Sequence, residues 1–553
     1  MSATTTAEGE AAAKGRLSHR QILTVLSGLM LGMFLAALDQ TIVSSAMKTI
    51  ADELHGQSLQ AWATTAYLIT ATLSTPLYGK LSDLYGRKPM YLTAITLFLA
   101  GSLASGMAGS MYELAAFRAF QGLGAGGLMS LALAIISDIT APRERSKYQG
   151  YFMAVFGISS VAGPVVGGFF AGLDSFAGIT GWRWVFLVNV PIALAALVVV
   201  SKVLNIPHTR VAQKVDYWGA VTLTAGLVPL LIVAEQGREW GWGSAASLVM
   251  YAIGALGVAA FIWQERRMGD AALLPLRLFK RPVFRVATMV TVVQGVGMFG
   301  AMMSLPLYLQ IVKGATPTAA GLQMLPLTLG IMVASLTSGR VISRTGRYKA
   351  FAVAGLGIMS AALFLLATIG VDTPMAVVMA IAFLIGLGLG ASMQTLQLAA
   401  TNDVPARDIG VATSSATFFR QIGGTAGTAV FLSILFGVVG DRIAAAVRTA
   451  MATPSYVAAL AAHPEFAQKM AGGMDVNDTS FLATLDPVLA RPILEGFASS
   501  MSTVFLVGGI VLAAGFALVW RLKENPLSDK SALAQRAEED AAGAAKPEPA
   551  LAH

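Results

Sequence analysis

The chain has 553 residues, of which 55% are hydrophobic and only 12% charged, with 38 Lys and Arg against 30 Asp and Glu, and no cysteine. Soluble domains carry roughly 25% charged residues, so this composition excludes a water-soluble enzyme and suits a chain whose solvent is lipid. Without cysteine there are no disulfides, thiolate zinc sites or cysteine nucleophiles, and five histidines leave little for metal chemistry, so no cofactor and no metal is expected.

Residues 1–19 are polar, lack apolar periodicity and read as a disordered tail. Behind them, apolar windows of about 20 residues, the length that crosses about 30 Å of hydrocarbon, recur fourteen times. The first six fall at 22–44, 61–79, 90–108, 112–136, 148–172 and 184–204; two more follow at 217–234 and 244–263. The last six fall at 285–309, 319–338, 350–369, 375–400, 411–439 and 500–520. Between the final two lies an Ala-rich extracytoplasmic loop, 440–498, with room for short amphipathic helices, and 524–553 reads as a second disordered tail. The expected fold is therefore an all-α membrane protein of fourteen transmembrane helices. A bundle of six (20–210) and another of six (271–523) flank two inserted helices (211–270).

Lys and Arg test the direction of these spans, because they accumulate in short cytoplasmic loops. With both termini inside, 28 of the 38 cations fall in the tails and alternate loops of one side. The net charge of +8 is then a topological signal and not a nucleic-acid surface.

An internal repeat supports the two-bundle division. Gly79-Lys80-Leu81-Ser82-Asp83-Leu84-Tyr85-Gly86-Arg87-Lys88 reappears as Gly339-Arg340-Val341-Ile342-Ser343-Arg344-Thr345-Gly346-Arg347-Tyr348, with both glycines and the following Arg at an offset of 260. Two parallel-related six-span halves are the architecture of alternating-access secondary transporters, with a site expected midway between the halves.

At these residues the chain resembles the major facilitator superfamily, and within it the fourteen-span drug:proton antiporters. Gly79, Asp83, Gly86, Arg87 and Lys88 occupy the positions of the superfamily's G-x-L-x-D-x-x-G-R-K loop. Arg118 to Gly127 is similar to the R-x-x-Q-G-x-G-A stretch that accompanies proton coupling. Gly157, then Gly163, Pro164, Gly167 and Gly168, resembles the motif of antiporters, and Leu38-Asp39-Gln40-Thr41-Ile42-Val43 resembles the L-D-x-T-I-V of the fourteen-span group, departing from it after Val43. The resemblance implies proton-coupled export of drug-like compounds from a bacterial cytoplasmic membrane.

The residues themselves point the same way. Ionisable groups deep in a span are costly and by default functional. Asp39 and Arg118 fall at a similar depth in spans one and four, so they can pair. Burial favours a neutral carboxyl and a neighbouring guanidinium an ionised one, so separating or hydrating such a pair loads or releases a proton. Asp39 is thus the expected proton carrier and Arg118 its partner. Arg420, in span thirteen, either anchors packing between halves, the favoured reading, or contacts substrate. Asp138 and Glu113, at helix ends, read as ordinary solvated charges. The last six spans contain no Asp or Glu, which leaves neutral groups such as Gln294, Gln323 and Gln394 to line a substrate cavity.

Together with 25 methionines and scattered aromatic rings, these suit small hydrophobic or monocationic substrates, exchanged for protons. Membrane lipid is the only other partner expected, and the chain reads as a monomer. No phosphate-binding G-x-x-x-x-G-K-[ST] loop, serine nucleophile elbow or His pair argues for an ATP-driven pump or an enzyme. The competing reading is a transporter of another substrate: an envelope lipid, a secondary metabolite or, less readily, a nutrient taken inward.

Overall fold

The structure, a computed structural model, describes residues 19–55, 59–205, 215–466 and 485–528, together with 482, 531, 534 and 535. The tail 1–18, most of the chain beyond 528 and the middle of the 440–498 loop lie outside the described residues.

Among the described residues, fourteen long helices follow one another. The first six are α1 His19–Glu53, α2 Gln60–Tyr85, α3 Arg87–Gly106, α4 Met111–Ile139, α5 Pro142–Ala171 and α6 Asn189–Val203. The inserted pair is α7 Tyr217–Trp240 and α8 Ala245–Met268. The last six are α9 Pro282–Leu307, α10 Leu325–Thr345, α11 Lys349–Leu366, α12 Met375–Asn402, α13 Ile409–Ala450 and α14 Pro487–Val519. A two-residue hairpin ladder, Ser175–Phe176 with Ile179–Thr180, sits between α5 and α6.

Among the described residues, 13 helices are long and apolar enough to cross a membrane. The exception is α2, diluted by hydroxyls and by Lys80 and Asp83 near its end. Several of its hydroxyls bond within the helix, Thr70 donating to the Ala66 carbonyl (3.0 Å) and Thr75 to that of Ala71 (2.9 Å), so these do not oppose a crossing.

The repeat is visible in the helix ends. Tyr85 and Thr345 close α2 and α10 at an offset of 260, and Gly106 and Leu366 close α3 and α11 at the same offset. Gly86 (φ 97°) and Gly346 (φ 70°) make the two equivalent turns in the left-handed region that only glycine enters cheaply. The offset drifts to 267 at the starts of α5 and α13, and α14 is displaced further along the chain by the segment inserted after α13.

Each half buries its own core. Leu26, Ile95, Leu128 and Phe152 belong to the first and Phe284, Leu356, Leu396 and Met501 to the second. The inserted pair lies outside both, where Leu223 and Leu231 of α7 and Phe261 of α8 meet Ile69 and Leu73 of α2 and Phe418 of α13. The halves meet through α2 against α13 and α5 against α10.

Two expectations change. Helix α13 runs on to Ala450 and α14 starts at Pro487, so the loop expected at 440–498 is helical at both ends. Val439, Ile443 and Val447, four residues apart, bury in the same cluster as Leu489, Ile493 and Phe497, also four apart; the apolar stripe outlasts the lipid. A further short helix, Pro454–Ala462, follows with Tyr456 buried. Residues 524–526, assigned to a disordered tail, are held instead. Glu524 accepts from the Tyr348 (2.6 Å) and Lys349 (2.9 Å) backbone N–H groups at the start of α11, a carboxylate at a helix N-terminus.

Without a hydrophobic drive between spans, close backbone approach supplies the contact. At Gly388 of α12 an added side chain would strike the Gly355 carbonyl and Met359 of α11. Gly388→Leu should therefore lower the melting midpoint of detergent-purified protein by several degrees, and an unchanged midpoint would contradict the packing.

Candidate functional site

Three groups of polar residues lie within or between the spans. The first surrounds Asp39, which is fully buried. One carboxylate oxygen, Oδ2, accepts from Arg118 Nη1 at 2.5 Å. The other, Oδ1, accepts from Gln121 Nε2 (2.9 Å) and from Asn189 Nδ2 (2.7 Å). Arg118 is 1% exposed, also donates to Gln121 Oε1 (2.9 Å), and stands 4.1 Å above the Tyr67 ring. Asn189 is steadied by Ser102, which itself donates to the Phe186 carbonyl (2.9 Å).

Charge-assisted hydrogen bonds of this kind are stronger than neutral ones, and losing one partner of a buried pair costs about 3 to 5 kcal/mol. The glycines after Arg118 build the cluster. Side chains at Gly122 or Gly126 would strike α2, and one at Gly124 would strike α3, so their absence brings both helices onto α4 and seals the charges.

The helices that hold this cluster, α1, α2, α3, α4 and α6, all belong to the first half. As the placement of Asp39 and Arg118 in spans one and four implies, the acid lies inside the first half, surrounded by five helices. Its link outward is α5. Side chains at Gly163 and Gly167 would strike Thr41, Ile42 and Ser45 of α1, and Thr41, two residues past the acid, donates to the Ser159 carbonyl of α5 (3.0 Å). Gly157 and Pro164 of the same helix face the second half, at Thr328 and Gly321, whereas Gly168 has nothing within 4 Å. Thus α5 touches both the acid-bearing helix and the opposite half.

The second group lies at the end of the bundle that carries the Gly79–Lys88 loop, called here the basic face. Arg87 is bound to Asp83 (2.6 Å), Asp138 (2.7 Å) and the Ser82 hydroxyl. This triad seats on the first turn of α13, where any side chain at Gly410 would strike Asp83 and Arg87, and one at Gly79 would strike Ser414. An acid against a helix N-terminus is favoured by the backbone dipoles.

Neighbouring cations tie the halves further. Arg145 donates to Thr401 (2.7 Å) and to the Ser137 carbonyl (2.9 Å), and Arg143 donates to the Ser343 carbonyl (3.0 Å). Lys80 reaches the Asp270 carbonyl (2.8 Å), while Lys88 turns aside to Asn205 and Ser201. Arg277 pairs bidentately with Asp408 at 2.7 and 2.8 Å, and that carboxylate holds the guanidinium above its usual range. Asp138 corrects the expectation of a solvated helix-end charge: it is 2% exposed and bonded to Arg87. Glu113 does behave so, exposed and accepting from the Gly109 N–H.

The third group lies in the second half. Gln294 donates to Ser392 (2.6 Å), and Gln397 to the Thr413 carbonyl (3.3 Å). Gln394 has both amide atoms buried without a partner among the described residues, as does the side-chain oxygen of Gln323. The bond between halves expected of Arg420 is made by its neighbour, Thr75 donating to Gln421 Oε1 (3.3 Å).

A buried acid–guanidinium pair inside one of two repeated bundles, with an ionic latch across one face, is the frame in which relatives can be compared. The profile of the Major Facilitator Superfamily matches residues 29–428. The chain belongs to that superfamily. It is 33% identical over 545 residues to multidrug transporter protein MdtP of Bacillus subtilis, covering 96% of this chain and 98% of that one. It is 42% identical over 317 residues to a tetracycline resistance determinant of Streptomyces rimosus, covering 56% of this chain and 91% of that one. Among solved structures it superposes on the proton:xylose symporter XylE with a TM-score of 0.59 over 94% of this chain and 100% of that one; at 16% identity this speaks for shared fold alone.

This major facilitator protein thus carries site residues that span and motif reading passed over. Gln121 lay within a quoted motif and had no role. Asn189 gave one faint signal, an amide at the start of a run of apolar residues. Arg145 was counted as a loop cation and is 1% exposed.

If the basic face is held shut by the Arg87 triad, breaking it must expose the seam. The chain has no native thiol, so Ser414→Cys introduces a single reporter. Its labelling by a maleimide added to the basic face should rise several-fold when Arg87→Ala is added, and equal labelling would refute the latch.

Proposed function

We propose that this transporter exports hydrophobic compounds in exchange for protons, with Asp39 as the proton carrier and Arg118 as the group that competes with the proton for it. The observation that carries the reading is a carboxylate buried in a span, held by one guanidinium and two amides. Structural stability does not call for such a pair, since apolar replacements of buried ion pairs are often as stable or more so. The similarity to proteins named for multidrug transport and tetracycline resistance supports export over uptake.

In the proposed cycle the basic face is the cytoplasmic one, in keeping with its cations, and both termini lie on that side. The conformer seen has this face latched and Asp39 sealed. Rocking of one half on the other pulls on α5 through α10. Because α5 also grips α1 beside Asp39, the motion that opens the opposite, extracytoplasmic side loosens the acid from Arg118 and admits water there, and the carboxylate takes up its proton from outside. Opening of the basic face restores the guanidinium contact with the cytoplasmic side accessible and sends the proton inward, opposite to the exported compound. Two alternate states biased by proton and substrate suffice for exchange. A monocation would need a free acid to meet it, and both Asp39 oxygens are engaged in this conformer, so apolar contact is the more general basis for recognition.

Asp39→Asn keeps the size and the hydrogen-bonding capacity of the side chain and removes the titrating group. Inside-out vesicles acidified within should accumulate a compound to which the protein confers resistance, and Asp39→Asn, at equal expression, should abolish that accumulation. Undiminished accumulation would eliminate Asp39 as the carrier.

A further inference from the structure

Arg420 lies eleven residues into α13, about 16 Å along the helix at 1.5 Å per residue, which is mid-depth in a bilayer about 30 Å thick. It is 8% exposed. Ala416, Thr417, Gly423 and Gly424 around it on the helix are all buried, so it is directed into the protein and not at lipid. Its backbone serves packing, because α9 approaches the Arg420 carbonyl at Gly295. Its guanidinium serves none: it makes no hydrogen bond, ion pair or ring contact among the described residues. The sealed Nε atoms of Arg118 and Arg145 lack partners, but every Arg420 nitrogen keeps access to a solvent-sized space.

The charges around it leave a surplus. The second-half spans at 285–309, 319–338, 350–369, 375–400, 411–439 and 500–520 contain no Asp or Glu. In the first half Asp39 is already neutralised by Arg118. The deep spans therefore carry one acid against two guanidiniums, and the unmatched cation is Arg420. The second half also holds unbonded amides. Gln294, beside Gly295 on α9, keeps a buried oxygen without a partner, and Gln394 of α12 keeps both its oxygen and its NH2 without one. A lone guanidinium at this depth is retained against its cost, and a guanidinium fork fits a carboxylate bidentately.

We infer that Arg420 docks an anionic group on the transported compound, a carboxylate, phenolate or enolate, with apolar wall around the remainder. The transported class is then amphipathic weak acids and zwitterions in place of simple cations. This rests on the exporter reading and names its substrate class, but it does not require proton exchange.

The probe is one fluorophore in three charge forms: 11-(dansylamino)undecanoate, its methyl ester, and the matching primary amine. Binding is read by dansyl fluorescence on protein in nanodiscs of zwitterionic lipid, with no pH gradient. Wild type should bind the carboxylate at least about tenfold more tightly than the ester or the amine. Arg420→Gln should bring the carboxylate down to the ester's affinity without changing the ester's, and Arg420→Lys should restore part of the preference. A wild-type protein that prefers ester or amine overturns the proposal without any variant, as does an Arg420→Gln protein with an unchanged ratio. Loss of gradient-driven export in Asp39→Asn with the anion preference intact concerns the exchange reading alone, so the two can fail separately.

Discussion

The rest of the structure turns on the cost of holding one carboxylate in the membrane. Asp39 meets that cost locally, with a guanidinium on one oxygen and two amides on the other. The demand for donors from several directions explains much of the first half. Glycines at 122, 124 and 126 draw α2 and α3 onto α4, and α6 contributes Asn189. The outcome is a charged site buried as fully as an apolar core, so in the proposed exchange the helices around it must move.

That requirement gives the other motifs a shared physical sense. The Gly79–Lys88 loop touches no part of the acid cluster; it plants an Asp–Arg–Asp triad on the N-terminus of α13 and so joins the halves at one face. The antiporter-like segment of α5 lies between the halves and also against α1, at the residues just past Asp39. The acid-bearing helix and the opposite half are thus connected by one helix, α5, packed through glycines against both. In the second half no acid in the spans neutralises Arg420, and that asymmetry between halves is what the proposed anion docking rests on.

Much of this was legible in the residues because the signals are strong where solvent changes. Long apolar windows, the cation bias of alternate loops and the offset of 260 gave fourteen helices and their pairing into halves. The depth arithmetic that set Asp39 opposite Arg118 was enough to put them in contact. Other features left no such mark. Asn189 and Gln121 are neutral, and an amide in a span is unremarkable until its partner is seen. Asp138 and Arg145 sit at helix ends, where charge pattern tells sidedness and not burial. The helices running past the membrane as far as Ala450 and back from Pro487 follow an apolar stripe amid the charges Asp441, Arg442 and Arg448, which a window average dilutes.

The central claim is that the Asp39 carboxyl changes protonation between conformers of this protein. Infrared difference spectroscopy on reconstituted protein, comparing wild type with Asp39→Asn as the pH is lowered and as a transported compound is added, observes that carboxyl directly. The account expects one carboxylate band to give way to a protonated-carboxyl band in wild type, and both signals to be missing from Asp39→Asn. Identical spectra from the two proteins under every condition would mean that the acid never titrates, and would contradict the account.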